Sequence, residues 1–262
     1  MNKMAEQETV ERNPATRPPS RQTRVRVSLR EIRECTFRAL SAHGASPGEA
    51  ATAARMVVDA ELQGHRGIRV VLSDLGRTRW QQQSVQITDT SHEPNAPVLL
   101  GDRRTNQLLR HVPLAVHLTA AEPGRAVFVP WDLVGIVCVD AVMLEVAEAS
   151  DCPVVLVRRS EGRNTDARVA RADGSLGTGT GAGVFKWAGG DIGSAAADDL
   201  GADGVWLFVP VAGNVHVPAG LTWVSAQERI DARAAAAREG RLITGEAWWA
   251  LYAASRRYLV GA

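Results

Sequence analysis

Two closely spaced helix start signals constrain the fold of this chain more than any other feature. Ser28-Leu29-Arg30-Glu31 and Ser46-Pro47-Gly48-Glu49 each place a glutamate three residues after a serine, which is the pattern of a capping box. Pro47 at the first helical position strengthens the second signal. Gly44 ends the first helix just before the second begins. The sequence therefore predicts an N-terminal helical hairpin.

The second helix leads into a polar corner within residues 54–76. The helix breaks at Gly64, and His65, Arg66 and Arg69 then surround Gly67. A histidine can act as a general acid or base near neutral pH, and an arginine fork binds a carboxylate through two N–H groups. These side chains together suit a 2-oxo or 2-hydroxy acid. The competing interpretation is that His65 caps the preceding helix and the arginines are solvated.

The rest of the chain mixes strand and helix patterns. The β-branched run after Pro153 is continuous, which favours a strand that is buried on both faces. Predicted strands are Val85–Ile87, Val98–Leu100, 125–129, 154–158 and 204–211, and predicted helices are Thr105–Ala121 with an interruption at Pro113, 141–147, Ser225–Glu239 and Thr244–Tyr258.

Composition shifts divide the chain into four segments. Residues 1–23 are polar and contain three prolines, so they are predicted to be a disordered tail. Residues 24–79 form an N-terminal helical region, residues 80–220 an α/β core, and residues 221–262 a C-terminal helical segment.

Charge and cysteine usage exclude several classes of protein. The formal net charge is +1, which indicates neither a nucleic-acid partner nor a membrane surface. Cys35, Cys138 and Cys152 are too widely spaced for a metal site, so no metal is expected. No signal peptide and no apolar run of membrane-spanning length is visible. These features predict a reduced, cytoplasmic protein.

A glycine-rich segment from Gly177 to Gly183 precedes Lys186, which is the only lysine outside the first 23 residues. Backbone N–H groups at Gly179 and Gly181 could bind a phosphate. A strand rather than a helix follows, which fits neither a Rossmann fingerprint nor a P-loop, and a flexible hairpin or lid is the alternative. Lys186 lies between two aromatic residues and could be desolvated for base or Schiff-base chemistry; a lysine at a strand edge is the simpler interpretation.

Two segments carry a resemblance to a known family. The corner Ala60-Glu61-Leu62-Gln63-Gly64-His65-Arg66-Gly67-Ile68-Arg69 and the helix and strand from Gly135 to Arg159 resemble the L-lactate/malate dehydrogenase family without a Rossmann fold. That family includes ureidoglycolate, diketogulonate and piperideine-carboxylate oxidoreductases. The match extends through Arg158 and Ser160. The Ser-His pair of the family's corner has no counterpart, and Glu161-Gly162-Arg163-Asn164 replaces the family's Asn-His-Phe-Gly.

The resemblance implies an α/β fold with a non-Rossmann mixed or antiparallel sheet, an N-terminal helical hairpin and C-terminal helices. It further implies a homodimer that binds NADPH or NADH and a small carboxylate substrate. In this interpretation the catalytic candidates are His65, Arg66, Arg69 and Lys186. The cofactor-binding candidates are Arg158, Ser160, Gly179 and Gly181.

Three functions are compatible with the sequence. The first is an NAD(P)H-dependent oxidoreductase for a small 2-oxo or 2-hydroxy acid or a cyclic imine, in specialised metabolite biosynthesis. His65 or Lys186 would then act as the acid in place of the family's histidine. The second is a non-redox cyclase, lyase or isomerase that uses the same carboxylate pocket. The third is a catalytically inactive relative that serves as a partner subunit. The sequence does not specify the substrate, the choice between NADH and NADPH, or the pathway.

Overall fold

The chain is described by a computed structural model. It covers residues 23–76, 80, 87–89, 98–101, 107–130, 139–160, 163–180, 186–187, 190–191, 204–209 and 221–258. The predicted tail lies outside these ranges, apart from Thr23, and so does Gly181.

Seven helices and twelve strands are present in the described residues. The helices are α1 Leu29–Ala42, α2 Pro47–Leu62, α3 Gly67–Leu75, α4 Leu108–Ala121, α5 Asp140–Ser150, α6 Ala226–Glu239 and α7 Gly245–Arg256. The strands are β1 Arg24–Val27, β2 Ile87–Asp89, β3 Val98–Leu100, β4 Val127–Pro130, β5 Val154–Ser160, β6 Arg163–Ala170, β7 Leu176–Thr180, β8 Lys186–Trp187, β9 Gly190–Asp191, β10 Gly204–Phe208, β11 Thr222–Val224 and β12 Arg241–Thr244.

Both predicted capping boxes form and start the helical hairpin. The Ser28 hydroxyl accepts a hydrogen bond from the Glu31 N–H, and the Glu31 carboxylate accepts one from the Ser28 N–H. Ser46 and Glu49 make the same reciprocal pair at the start of α2. Each box satisfies two N–H groups that a helix start otherwise leaves without partners. The N-terminal hairpin of α1 and α2 is confirmed.

The main sheet has eight strands in the order β11-β7-β6-β5-β10-β4-β3-β2. Only β3 and β4 run parallel; the other six neighbouring pairs are antiparallel. The sheet is therefore mixed, as the predicted non-Rossmann α/β class allows. Two smaller ladders pair β1 with β12 and β8 with β9.

Side chains of the central strands enter two separate cores. Leu156 and Val205 belong to the large core that the helices cover. On the opposite face, Val155, Val157 and Trp206 pack in a smaller cluster with Phe128. The predicted burial of both faces of β5 is confirmed, and this alternation decides which polar side chains can approach the helices.

Three features of the secondary structure differ from the prediction. Helix α4 runs through Pro113 without interruption, because its apolar residues, including Val112 and Val116, are buried and packing outweighs the hydrogen bond that proline removes. The strand predicted at Val85–Ile87 continues to Asp89, and its first two residues lie outside the described ranges. The prediction also missed β1, β9, β11, β12 and the hairpin of β6 and β7.

Substituting Gly204 with alanine is expected to lower the free energy of unfolding by about 1–3 kcal/mol. An added Cβ would lie 2.5 Å from the Phe128 ring and 2.6 Å from the Val129 carbonyl oxygen, and the backbone oxygen cannot easily move. Gly48→Ala is the matched control, because nothing lies within 4 Å of its added Cβ, and alanine is favoured in a helix by about 0.5–1 kcal/mol. Denaturant unfolding measures both; equal stabilities would contradict the prediction.

Candidate functional site

The corner between α2 and α3 holds His65 in a fixed position. Gly64 has a φ of +80°, a left-handed conformation that favours glycine, and the His65 N–H donates to the Ala60 carbonyl at 2.8 Å. An added Cβ at Gly67 would lie 2.7 Å from the Val57 carbonyl oxygen. The two helices can therefore cross closely, and His65 lies half-buried at the crossing.

Buried Asp140 and nearly buried Arg168 form an ion pair beside this corner. Asp140 begins α5, where the helix dipole favours a negative charge. Arg168 is on β6, opposite Leu156 of β5, and therefore on the face of the sheet that the helices cover. The Arg168 Nη1 donates to the Asp140 Oδ2 at 2.5 Å, and the side chains are 13% and 1% exposed.

These charges and their burial shift the pKa of His65. Burial lowers the pKa, the nearby positive charge of Arg168 lowers it further, and Asp140 acts in the opposite direction. Burial also raises the pKa of Asp140, while Arg168 works against that rise. The cluster thus combines a neutral imidazole, a guanidinium and the carboxylate that holds the guanidinium. We call His65, Asp140 and Arg168 the corner site.

The two arginines that follow His65 in the sequence are both exposed. Arg66 is exposed and precedes the first residue of α3. Arg69 is exposed and lines a separate cavity of about 500 Å³ between α3 and α7, with Leu72 and Glu246. Their proposed role as a carboxylate fork next to His65 stays a prediction, and Arg168 is the arginine whose charge acts on His65.

The predicted cofactor residues fall on both faces of the sheet. Arg158 lies on the helix-covered face, where its Nη1 donates to the Asp166 Oδ2 at 2.8 Å. Gly179 of β7 pairs with Ala167, which faces the smaller core on the opposite side. Ser160 ends β5.

Lys186 is described only by its backbone, which pairs with Asp191 in the small ladder of β8 and β9. The structure therefore does not bring it to the corner site or separate it from that site, and its catalytic role stays a prediction.

Sequence reasoning missed Asp140 and Arg168. A signal for Arg168 was present, because polar Asp166 and Arg168 alternate with apolar Ala167 and Val169 in the pattern of a half-buried strand. No comparable signal pointed to Asp140, which appeared only as the start of an apolar helix.

A second cavity of about 440 Å³ lies between α2, α6 and the turn that joins β6 to β7. Its lining includes Asp59. Burial raises the pKa of the Asp59 carboxyl, and the positive charge of Arg233 opposes that rise. The Arg233 Nη1 donates to the Asp59 Oδ1 at 3.3 Å.

Over the described part of the chain, no group of three or more His, Cys, Asp or Glu side chains could hold a metal ion. No described helix has the length and apolar character to cross a membrane.

Replacing Arg168 with glutamine is expected to raise the pKa of His65. The change removes a positive charge that disfavours the imidazolium and leaves the Asp140 carboxylate without its nearest cation. Proton NMR titration of the imidazole signals in the wild-type and variant proteins measures the shift, with His65→Gln used to assign the signal. An unchanged or lower pKa of His65 in the variant would contradict the electrostatic account of the site.

Comparisons with known proteins show which fold this chain shares. No family model matches the chain, and a search of curated proteins finds no match. Among solved structures, the chain is similar to a dehydrogenase from Sinorhizobium meliloti with a TM-score of 0.58 at 14% identity, over 89% of this chain and 100% of that one.

Two further structures are similar over comparable lengths. For malate dehydrogenase from Pyrococcus horikoshii OT3 the TM-score is 0.57 at 11% identity, over 92% of this chain and 97% of that one. For sulfolactate dehydrogenase from Methanocaldococcus jannaschii it is 0.54 at 10% identity, over 90% and 98%. The chain therefore has the fold of the malate, lactate and sulfolactate dehydrogenases, as the resemblance of its corner and of β5 implied.

Proposed function

We propose that this chain is an oxidoreductase that uses NADPH or NADH to interconvert a small 2-oxo acid and its 2-hydroxy acid, or to reduce a cyclic imine that bears a carboxylate. The observation that carries the proposal is a nearly buried arginine, Arg168, next to a half-buried histidine, His65; within the described residues the arginine uses only one of its N–H groups. Dehydrogenases named for malate and sulfolactate, both of which are 2-hydroxy acids, share the fold.

Arg168 is the proposed carboxylate anchor. Its Nη1 donates to Asp140, and within the described residues no other hydrogen bond of its guanidinium is found. A guanidinium has five N–H donors in a planar fork that matches a carboxylate. Asp140 fixes the orientation of the fork and leaves donors available to a substrate carboxylate.

His65 is the proposed proton acceptor and donor. Because burial lowers its pKa, the imidazole is mostly neutral at neutral pH and can accept the hydroxyl proton as a 2-hydroxy acid is oxidised. Reduction requires the protonated imidazole, which gives its proton to the substrate. The rate of reduction is therefore expected to fall, and that of oxidation to rise, as the pH rises through the lowered pKa.

Of the predicted cofactor residues, Arg158 and Gly179 differ in their fit to a nicotinamide cofactor. Arg158 fits by its chemistry, because an arginine with unused donors binds anions and lies on the same face as Arg168. Gly179 is on the opposite face, so it does not face the corner site. When bound, the cofactor would supply or accept the hydride; the residues of this chain hold the substrate and move its proton.

The test measures cofactor binding first and turnover second. Calorimetry with NADPH and NADH, and a thermal-shift series, detect binding because a ligand at about 100 times its Kd stabilises the native state by roughly 2.7 kcal/mol. NAD(P)H consumption is then followed with 2-oxo acids and cyclic imines. Arg168→Gln should raise KM for carboxylate substrates, whereas Arg55→Gln, at an exposed ion pair with Glu145, should not. Absence of nucleotide binding at millimolar concentration would refute the reductase.

A second candidate is non-redox proton transfer at the same site, by a lyase, cyclase or isomerase. The neutral state of His65 favours it, because a neutral base beside an anchored carboxylate can remove a proton from the neighbouring carbon. Exchange of that proton with deuterium in the absence of nicotinamide would support this candidate if the exchange is lost in His65→Gln. If the wild-type protein shows neither turnover nor proton exchange, the remaining candidate is the third function, that of a catalytically inactive partner subunit.

Three further expectations stay predictions from the sequence: the homodimer, the cytoplasmic location and a role in specialised metabolite biosynthesis. Sedimentation equilibrium of the full chain tests the first. A mass equal to that of one chain at micromolar concentration would contradict it.

A further inference from the structure

We infer that the cavity between α2 and α6 binds a small organic cation with a short apolar chain, of the class of the primary alkylamines. The volume of the cavity is about 440 Å³, and sites for small molecules commonly have volumes of roughly 300–1,000 Å³. His65, Asp140 and Arg168 are not among the described residues that line it. Its ligand is therefore distinct from the substrate that the corner site would bind.

Asp59 supplies the negative charge at which the cation binds. Its side chain is 15% exposed, and burial raises the pKa of the carboxyl against the opposing charges of Arg233 and Arg229, so the ionised form is poorly solvated there. Within the described residues, the one hydrogen bond found for its carboxylate comes from the Arg233 Nη1 at 3.3 Å. Bonds of this kind are usually about 2.7–2.9 Å long, and an ammonium group inside the cavity can supply a shorter one.

Arg233 leaves this position open to another cation. Its side chain is 58% exposed, and an ion pair with so much of one partner in water contributes little to stability. The guanidinium can therefore turn into solvent when an ammonium group takes its place. The other arginine of the lining, Arg229, donates from its Nη1 to the Gly174 carbonyl oxygen at 3.0 Å, and this bond holds it at the turn between β6 and β7.

The charges around the cavity favour a cation over an anion. The described lining carries four carboxylates and two guanidinium groups, which belong to Asp59, Glu148, Asp173, Glu228, Arg229 and Arg233. The negative charges therefore outnumber the positive ones, and this excess disfavours the approach of an anion. An organic anion of the same size is expected to bind the cavity less tightly than the cation.

The wall of the cavity is partly apolar, and some of that apolar surface is exposed. Leu62, Val224 and Ile230 are part of the lining, and Ile230 is 59% exposed. All residues of α6 are described, and only Ala236 among them is buried. An alkyl chain on the cation would cover the apolar side chains between α2 and α6 and gain the hydrophobic free energy of their burial.

The experiment compares pentylammonium, 1-pentanol and pentanoate, which share a five-carbon chain and differ in the charge of the head group. Binding of each to the full chain is measured by calorimetry at neutral pH, where an alkylamine, like the lysine side chain with its pKa of about 10.4, is protonated. Pentylammonium is expected to bind more tightly than 1-pentanol by roughly ten- to a hundred-fold, as expected for a hydrogen bond to a charged group.

Four variants locate the binding. Asp59→Asn should remove the preference for pentylammonium over 1-pentanol, whereas Glu122→Gln, which removes an exposed carboxylate that is not part of the described lining, should keep it. Arg233→Gln should strengthen pentylammonium binding by up to about five-fold, the equivalent of a weak ion pair, because the competing cation is gone. Arg238→Gln, in the last turn of the same helix, should leave the affinity unchanged.

The contrary results are specific. Equal affinities for pentylammonium and 1-pentanol, or a preference that survives Asp59→Asn, overturn the inference. Pentanoate binding that Arg233→Gln abolishes also overturns it, because the cavity would then be an anion site. Absence of binding of all three compounds at millimolar concentration refutes the cavity as a ligand site. If Asp59→Asn unfolds, Ala232→Phe takes its place, because it fills the cavity from an exposed position of α6 and should abolish pentylammonium binding.

Discussion

Replacing His65 with glutamine is expected to lower turnover by roughly 10²–10⁴-fold, the usual contribution of a general acid or base. Glutamine preserves a polar side chain of similar length at the crossing of α2 and α3 but cannot exchange a proton near neutral pH. Binding of the substrate carboxylate should change little, because Arg168 holds that group. The loss should therefore appear in kcat, with KM nearly unchanged.

The pH profile separates a chemical role of His65 from a structural one. In the wild type, the inflection in kcat/KM lies below the ordinary histidine pKa of about 6.5, because burial lowers the pKa of His65. The residual activity of His65→Gln should lack this inflection. His117→Gln on the exposed side of α4 is the matched control. Full activity in His65→Gln would refute the assignment of the proton to His65.

The helical part of the fold could be predicted because its signals are local. A capping box needs only a serine and a glutamate three residues apart, and both predicted boxes start the helices α1 and α2. A third box, in which Ser225 pairs with Glu228, starts α6 in the same way. The corner could also be predicted, because Gly64 and Gly67 mark the positions where the chain must turn and where two helices must cross closely.

The sheet hairpin and the ion pair of the corner site could not be located in the same way. Strand β6 is stabilised by β5 and β7 on either side, and its central residues, such as Ala167, carry little strand preference of their own. The partner of Arg168 is 28 residues earlier in the chain, at the start of α5. No local pattern in the sequence links Asp140 to Arg168, and only the fold brings the two charges together.

The behaviour of Pro113 illustrates the same limit. Local chemistry predicts an interruption of the helix, because proline lacks an N–H and its ring crowds the preceding turn. The buried side chains of α4 outweigh that local cost, and the helix continues to Ala121. Where tertiary packing opposes local propensity, a sequence pattern gives the element but misplaces its boundaries.

Truncating Asp140 to alanine is expected to lower the free energy of unfolding by about 3–5 kcal/mol, the largest stability effect predicted for the corner site. The substitution leaves the Arg168 guanidinium nearly buried and without its partner, which costs more than the pair itself contributes. Asp140→Asn should cost less, about 1–3 kcal/mol, because its amide oxygen can still accept a hydrogen bond from Arg168. Denaturant unfolding at neutral pH measures both variants.

A double variant tests whether the loss of stability in Asp140→Ala comes from the unpaired charge of Arg168. Asp140→Leu/Arg168→Met replaces both partners with apolar groups, and substitutions of this kind are often neutral or stabilising. The double variant should therefore be more stable than Asp140→Ala, although it loses the carboxylate anchor and with it the activity. Glu145→Ala, at the exposed pair with Arg55, should cost no more than about 1 kcal/mol. If Asp140→Ala lowers the free energy of unfolding by no more than Glu145→Ala does, the ion pair with Asp140 does not hold Arg168 in place. The orientation of Arg168 as carboxylate anchor would then depend on other contacts.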